Sequence, residues 1–213
     1  MGVPKGGGCD RGRAMAFIRP SLMQDASLVL KAGAVTLRPP QMADFFAWAD
    51  LREASRAHLT PYEPQWTLDE LSKSAYRERM KRYQRDIKED QGYAFFVFGG
   101  ADRALVGGIT LANIRRGVAQ TAAVGYWIGK PFTQRGYGST SLAAVALFAF
   151  EEIRLHRLEA ACMPANAASL CTLERGGFSR EGLARRYLKI NGVWEDHVLF
   201  GLPREDWSQA RSP

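Results

Sequence analysis

Residues 121–141 read TAAVGYWIGKPFTQRGYGSTS and run directly into LAAVALFAFEEI. Their types and spacing suit the holding of an anion. An apolar strand candidate, Ala122 to Ile128, leads into a loop with Gly129, Pro131 and then Gln134-Arg135-Gly136-Tyr137-Gly138. An apolar helix candidate, Ser139 to Ile153, follows. The main-chain N–H groups of such a loop have no strand partner, and a helix N-terminus adds about half a positive charge. Glycine lets phosphate oxygens approach the backbone where no Cβ intervenes. The stretch reads as a grip on a pyrophosphate.

Two other phosphate signatures fit less well. A Walker A loop is G-x-x-x-x-G-K-[ST]; Gly125 to Lys130 gives G-x-x-x-G-K and then Pro131, so spacing and hydroxyl both fail. A dinucleotide fingerprint is G-x-G-x-x-G, whereas Gly136-Tyr137-Gly138-Ser139-Thr140-Ser141 ends in Ser. Its preceding strand also belongs to an antiparallel meander, and too little chain follows for a doubly wound sheet.

The elements that must position the loop follow from periodicity and punctuation. Val35 to Pro40 alternates and stops at prolines, which predicts a strand; Gln41 to Ala57 has helical spacing. Thr67-Leu68-Asp69-Glu70 has the form of a capping box, with Thr67 as N-cap of a long helix. That helix has Leu68, Leu71, Ala75, Met80, Tyr83 and Ile87 on one face and a solvated face with Lys73, Arg77, Lys81, Arg82 and Arg85. Tyr93–Phe98, Leu105–Ile114 and Thr121–Ile128 form a meander, Arg157–Pro164 is a strand, and Asn166–Arg175 is a short helix ending in glycine. Asn191-Gly192 marks a hairpin between Leu183–Ile190 and Val193–Leu202. The order β α α β β β α β α β β gives an α+β (mixed α/β) class, with a mixed sheet of about seven strands flanked by about four helices.

With 213 residues, 46% apolar and 24% charged, the chain has the material for one large core. The division expected is a disordered tail over 1–30, Gly-rich and basic at its start, and a single domain over 31–213. Net charge is +7, and a basic tail supplies part of it, so direct nucleic-acid binding is not required. The longest apolar run, Leu142 to Phe150, falls short of the roughly 18 residues of a membrane span. Cys9, Cys162 and Cys171 lack metal-ligand spacing, as do His58, His156 and His197. Cys162 and Cys171 read as reduced core residues, which suits a cytoplasmic protein. His156 and His197 read as structural, and Trp127, Trp194 and Trp207 as packing.

Arg135-Gly136-Tyr137-Gly138-Ser139-Thr140 resembles the Q/R-x-x-G-x-G/A pyrophosphate loop of the GCN5-related N-acetyltransferases (GNATs), with Thr140 departing at the last position. His156-Arg157-Leu158-Glu159-Ala160, then Asn166, Ser169, Leu173, Glu174 and Gly177-Phe178, resemble the second half of that superfamily. The ending Tyr187-Leu188, Asn191-Gly192, Trp194, Asp196-His197-Val198, Leu202 and Asp206-Trp207 is similar to the RimJ/RimL branch, the ribosomal-protein N-terminal acetyltransferases. The resemblance spans roughly 34–207.

It implies a mostly antiparallel sheet with a V-shaped splay and acetyl-CoA as cofactor. Main-chain groups near Tyr126, Trp127 and Ile128 would pair with the pantetheine arm, Gln134 to Thr140 would hold the pyrophosphate, and Asn166 would bond the pantetheine as well as cap its helix. The acceptor amine would attack the thioester directly, with no covalent acetyl-enzyme. An N-terminal α-amine, with a pKa near ~8, needs little help to lose its proton. Glu159 is the candidate base, with an ion pair to Arg157 or Arg186 as its equal alternative; Asp196 is second. Many relatives carry a tyrosine where this chain has Leu173, so Ser169 is the candidate donor to the departing sulfur. The implied acceptor is a protein N-terminus, of a ribosomal protein with alanine or serine first. A small amine such as a polyamine, antibiotic or amino acid is the alternative within the fold, and a non-catalytic RNA-binding module the alternative outside it. Monomer and homodimer are both compatible with the sequence.

Overall fold

Alternating apolar residues fold the first half of the chain into an antiparallel meander. The computed structural model describes residues 28–100 and 102–209; the expected tail lies, up to residue 27, outside the described residues. Strands β1 (Leu30–Ala32), β2 (Val35–Arg38), β3 (Tyr93–Gly99), β4 (Ala104–Arg115) and β5 (Thr121–Ile128) pair in that order, each antiparallel to the last. Helices α1 (Phe45–Ala54), α2 (Arg56–Leu59) and α3 (Lys73–Lys88) are inserted between β2 and β3. Helix α4 (Tyr137–Leu147), β6 (Arg157–Cys162), α5 (Ala167–Arg175), β7 (Ser179–Ile190), β8 (Val193–Pro203) and α6 (Arg204–Gln209) complete the chain.

The strands form one eight-stranded sheet in the order β1-β2-β3-β4-β5-β6-β8-β7. The expected mixed, mostly antiparallel sheet is present, with β1 added to the anticipated strands and the short α2 and α6 to the anticipated helices. β1 is three residues long, too short for alternation to show.

The one parallel neighbour pair is β5–β6, and it is brief. Thr121 pairs with Arg157, Ala122 with Leu158 and Ala123 with Glu159, and pairing ends there. β5 continues to Ile128 against β4, while β6 continues to Cys162 against β8. The two strands therefore diverge, and the sheet opens as a wedge in its middle.

Two apolar layers hold the wedge in shape. On one face Leu142, Val145 and Phe148 of the α4 segment, with Leu173 of α5, pack over Ala122, Val124, Leu158, Ala160, Cys162, Phe200 and Leu202. The α4 helix runs on into a wider π turn, Phe148–Glu152. On the other face Trp48 and Leu51 of α1 and Tyr76 and Met80 of α3 pack with Phe96 and Trp127. Alternation along β5 thus sends Tyr126 to the α4–α5 face and Trp127 to the α1–α3 face.

Three local expectations are corrected. The long helix opens at Lys73 with Ser72 as its N-cap, the Ser72 hydroxyl accepting from the Ala75 N–H at 3.1 Å. Residues 68–71 form a turn, with Glu70 engaged by Arg79 instead of reaching back as a capping-box partner. Cys171 is exposed on α5, whereas Cys162 is buried. Trp194 is 59% exposed on the hairpin and is not a packing residue. The hairpin turn itself is as its sequence demands, with positive φ at both Asn191 (43°) and Gly192 (87°).

Candidate functional site

The wedge opens into a cleft of about 630 Å³ that runs from the α4 N-terminus, between β5 and β6, to the α2–loop region. At its first end the chain leaves β5 through a single 3-10 turn and reaches Gln134 (φ 61°) and Gly136 (φ 80°), both left-handed. Gly136 is the residue before α4, and a Cβ there would meet nothing within 4 Å. Gly136 to Ser139 line the cleft, and within the helix the ladder starts with Thr140 N–H bonding Gly136 O at 3.0 Å. The N–H groups of Tyr137, Gly138 and Ser139 precede that first rung and have no intrahelical acceptor. Lys130 and Arg175 also line this cleft. Free amides, a helix N-terminus and open space at glycine form a cradle that fits a diphosphate.

Midway along, the helix-facing wall carries a small polar cluster. Asn166 is the N-cap of α5, its side-chain oxygen accepting from Ser169 N–H at 3.1 Å. The Ser169 hydroxyl lies 2.9 Å from the Tyr126 hydroxyl, and Tyr126 also donates to the Ser169 carbonyl at 3.3 Å. Burial pushes the Tyr126 phenol up to about 12, against the pull of its bond to Ser169, so it stays protonated. Burial likewise raises the Cys162 thiol above its ordinary value. Leu173, where the resemblance leads one to expect a tyrosine, is buried in the core at 1% exposure. A phenol of β5, Tyr126, stands beside α5 instead. Sequence reasoning enlisted Tyr126 for its main chain alone; the period-two alternation of β5 was the signal that its side chain faces α5.

The opposite wall belongs to the α1–α3 layer. His58 of α2 and Glu63 of the following loop line the cleft. Glu63 is held by two bonds from the buried Arg52 guanidinium, 2.7 and 2.6 Å, and by the Trp66 indole N–H at 2.8 Å. Arg52 is stacked between the Trp66 and Trp127 rings, 4.4 and 5.0 Å from their centres. The Glu63 carbonyl accepts from Asn191 N–H at 2.9 Å, which ties the β7–β8 turn to this wall. Burial, reinforced by Lys130, holds the His58 imidazole below its ordinary value, with Glu63 opposing.

Of the residues singled out from sequence, Tyr126, Trp127, Ile128, Gln134, Gly136, Tyr137, Gly138, Ser139, Asn166 and Ser169 all line this one cleft. Arg135 and Thr140 belong to the same loop and first helical turn without contributing lining surface. Glu159 and Asp196 are not among its lining residues. Glu159 sits at the last β6 position paired with β5, bonded by Arg115 at 3.0 Å and Arg157 at 3.2 Å. Asp196 accepts from the Arg186 backbone N–H at 2.8 Å, at an irregularity in the hairpin.

Comparison with known proteins agrees with this architecture. A family profile described as "Acetyltransferase (GNAT) domain" matches residues 34–179. The chain is similar to the probable N-acetyltransferase YjcK of Bacillus subtilis, 34% identical over 85% of this chain and 100% of that protein. It is also similar to the [ribosomal protein uS5]-alanine N-acetyltransferase of Escherichia coli, 31% identical over 78% of this chain and 86% of that one. Among solved structures, Mycobacterium smegmatis RimJ in complex with CoA-disulfide superposes with a TM-score of 0.78 at 31% identity, covering 84% of this chain and 87% of that one.

Proposed function

The chain belongs to the GNAT acetyltransferase family, and we propose that it moves an acetyl group from acetyl-CoA to the N-terminal α-amine of a protein in the cytoplasm, a ribosomal protein beginning with alanine or serine. The observation that carries the cofactor reading is the wedge: a diphosphate cradle at one end of a gap between strands whose facing backbone groups have no protein partner. The acceptor reading is supported by similarity to the E. coli enzyme whose name specifies an alanine of uS5.

Acetyl-CoA, when bound, supplies the activated acyl group as a thioester. The residues around the gap do the rest. The amides of Tyr137, Gly138 and Ser139 bind the diphosphate, with Lys130 and Arg175 adding charge. The unpaired edge of β5, at Tyr126, Trp127 and Ile128, aligns the pantetheine as an extra strand would. Asn166 fixes the first turn of α5 and with it Ser169. When the Ser169 hydroxyl turns to donate to a sulfur, the Tyr126 hydroxyl can rotate to donate to Ser169 Oγ, so the serine is not left short of a partner. Glu159, clasped by Arg115 and Arg157, acts as the pin at the closed end of the wedge.

The test is acetyl transfer to synthetic peptides beginning Ala or Ser, beside spermidine and free amino acids, followed by mass spectrometry. Transfer to the peptide α-amine is the expected result. Transfer to spermidine or amino acids with none to peptides would overturn the acceptor assignment while leaving the cofactor site intact.

A further inference from the structure

Glu159 is not among the residues lining the cleft, whereas β8 brings another proton acceptor to it. Val198, Phe200 and Leu202 alternate into the core beneath α4 and α5, so His197 points to the opposite face, the one on which Trp127 packs. His197 is 3% exposed and lines the cleft. Its Nδ1 lies 3.0 Å from the Glu195 carbonyl oxygen, and a carbonyl can only accept, so Nδ1 carries the ring proton. The Tyr187 ring packs against the imidazole edge-on, 6.0 Å between centres. Nε2 has no hydrogen-bond partner among the described residues. It is also not one of their sealed, unpartnered side-chain atoms, which are Arg52 Nε and Ser141 Oγ.

We propose that His197 Nε2 is the catalytic proton acceptor for the incoming amine. This rests on the reading that the chain acetylates an amine. An imidazole whose tautomer is fixed by a backbone carbonyl, with the other nitrogen bare and buried at a reaction cleft, has the arrangement of a general base. Nε2 takes the proton that the nitrogen sheds as its bond to the acetyl carbon forms and the carbon–sulfur bond breaks. Ser169 gives a proton to the sulfur, and exchange with solvent restores both side chains. The balance is one proton moved from nitrogen to sulfur, with no redox change. Glu63 also lines this cleft.

The test uses His197→Asn and His197→Gln in the full chain with an Ala-initiated peptide. Asparagine keeps a donor near the Nδ1 position, so it preserves the bond to Glu195 and removes only the base; glutamine sets its amide near the Nε2 position, so it loses the base and the Glu195 bond together. His197→Asn is expected to lose about 10²- to 10⁴-fold in kcat while acetyl-CoA affinity by calorimetry is unchanged. Wild-type turnover in His197→Asn overturns the proposal and leaves a packing histidine. Should the variants misfold, the wild-type protein decides. Nitrogen NMR of its three histidines must show His197 as the Nδ1–H tautomer, with Nε2 shifting on peptide binding. An Nε2–H tautomer, or no shift at saturation, overturns it. A wild-type chain that acetylates neither peptides nor spermidine would sink the function proposed above, and the tautomer measurement would still decide His197 by itself.

Discussion

Two hydroxyls, one on β5 and one on α5, lie 2.9 Å apart, and in the proposed transfer they would act as a unit. Ser169→Ala and Tyr126→Phe are each expected to lower kcat about tenfold, and the double variant to be little worse than either single. Steady-state kinetics on the four proteins checks this, and simple multiplication of the two effects would mean that the hydroxyls work independently. Gly138 makes a second prediction at this scale. A Cβ there would lie 3.5 Å from Thr172 Cγ2, ordinary contact, so the fold tolerates a side chain. Gly138→Asp instead sets a carboxylate against a bound diphosphate at the helix start. Acetyl-CoA affinity by calorimetry is expected to fall at least about a hundredfold, roughly 2.7 kcal/mol, with the circular dichroism of the native protein retained. Residue types and spacing marked the glycine loop ahead of α4, because its backbone geometry is local; they did not mark the Arg115–Glu159 ion pair, since Arg115, 44 positions earlier in the chain, reaches Glu159 only through the sheet.

At the scale of elements, the strands from β2 onward and α4 and α5 were readable from periodicity and from glycine, proline and Asn-Gly punctuation. The start of α3 was not. Thr67 and Glu70 have capping-box spacing, but Glu70 meets Arg79 of the helix proper, and that ion pair sets the loop so that Ser72 caps instead. The consequence is measurable by urea unfolding. Ser72→Ala is expected to cost about 1 kcal/mol, and Thr67→Ala, exposed and bonded only to Glu70 at 3.5 Å, nothing resolvable. Equal losses would restore the earlier cap. His197 shows the same limit. Its face depends on the β6–β8 register and its cover on the β7–β8 register, which shifts between Ala184 and Leu188, and no window of sequence carries that information.

The whole molecule is two half-sheets joined by three residue pairs and two apolar layers. One polar clasp spans its parts: Arg52 on α1, Glu63 on the loop, Trp66 beside it and Asn191 at the hairpin tip. The Arg52 side chain is 7% exposed, so loss of its counter-charge leaves a buried cation uncompensated. Glu63→Gln is therefore expected to destabilise the protein by about 3 kcal/mol, read by thermal or urea unfolding. A change within about 0.5 kcal/mol, typical of a surface substitution, would show the clasp to be decoration.

The brief β5–β6 pairing has a consequence for solubility as well. A strand left unpaired at the rim of a sheet invites other chains to add to it, and proteins blunt such rims with charge or proline. Here residues 124–128 are unpaired on one side in the interior of the sheet, with β6 and β8 standing across the gap. An edge enclosed in this way is reached from within the sheet and not from its rim, so the backbone groups of β5 stay open to a narrow guest while β6 shields them from the side-by-side pairing that an outer strand invites.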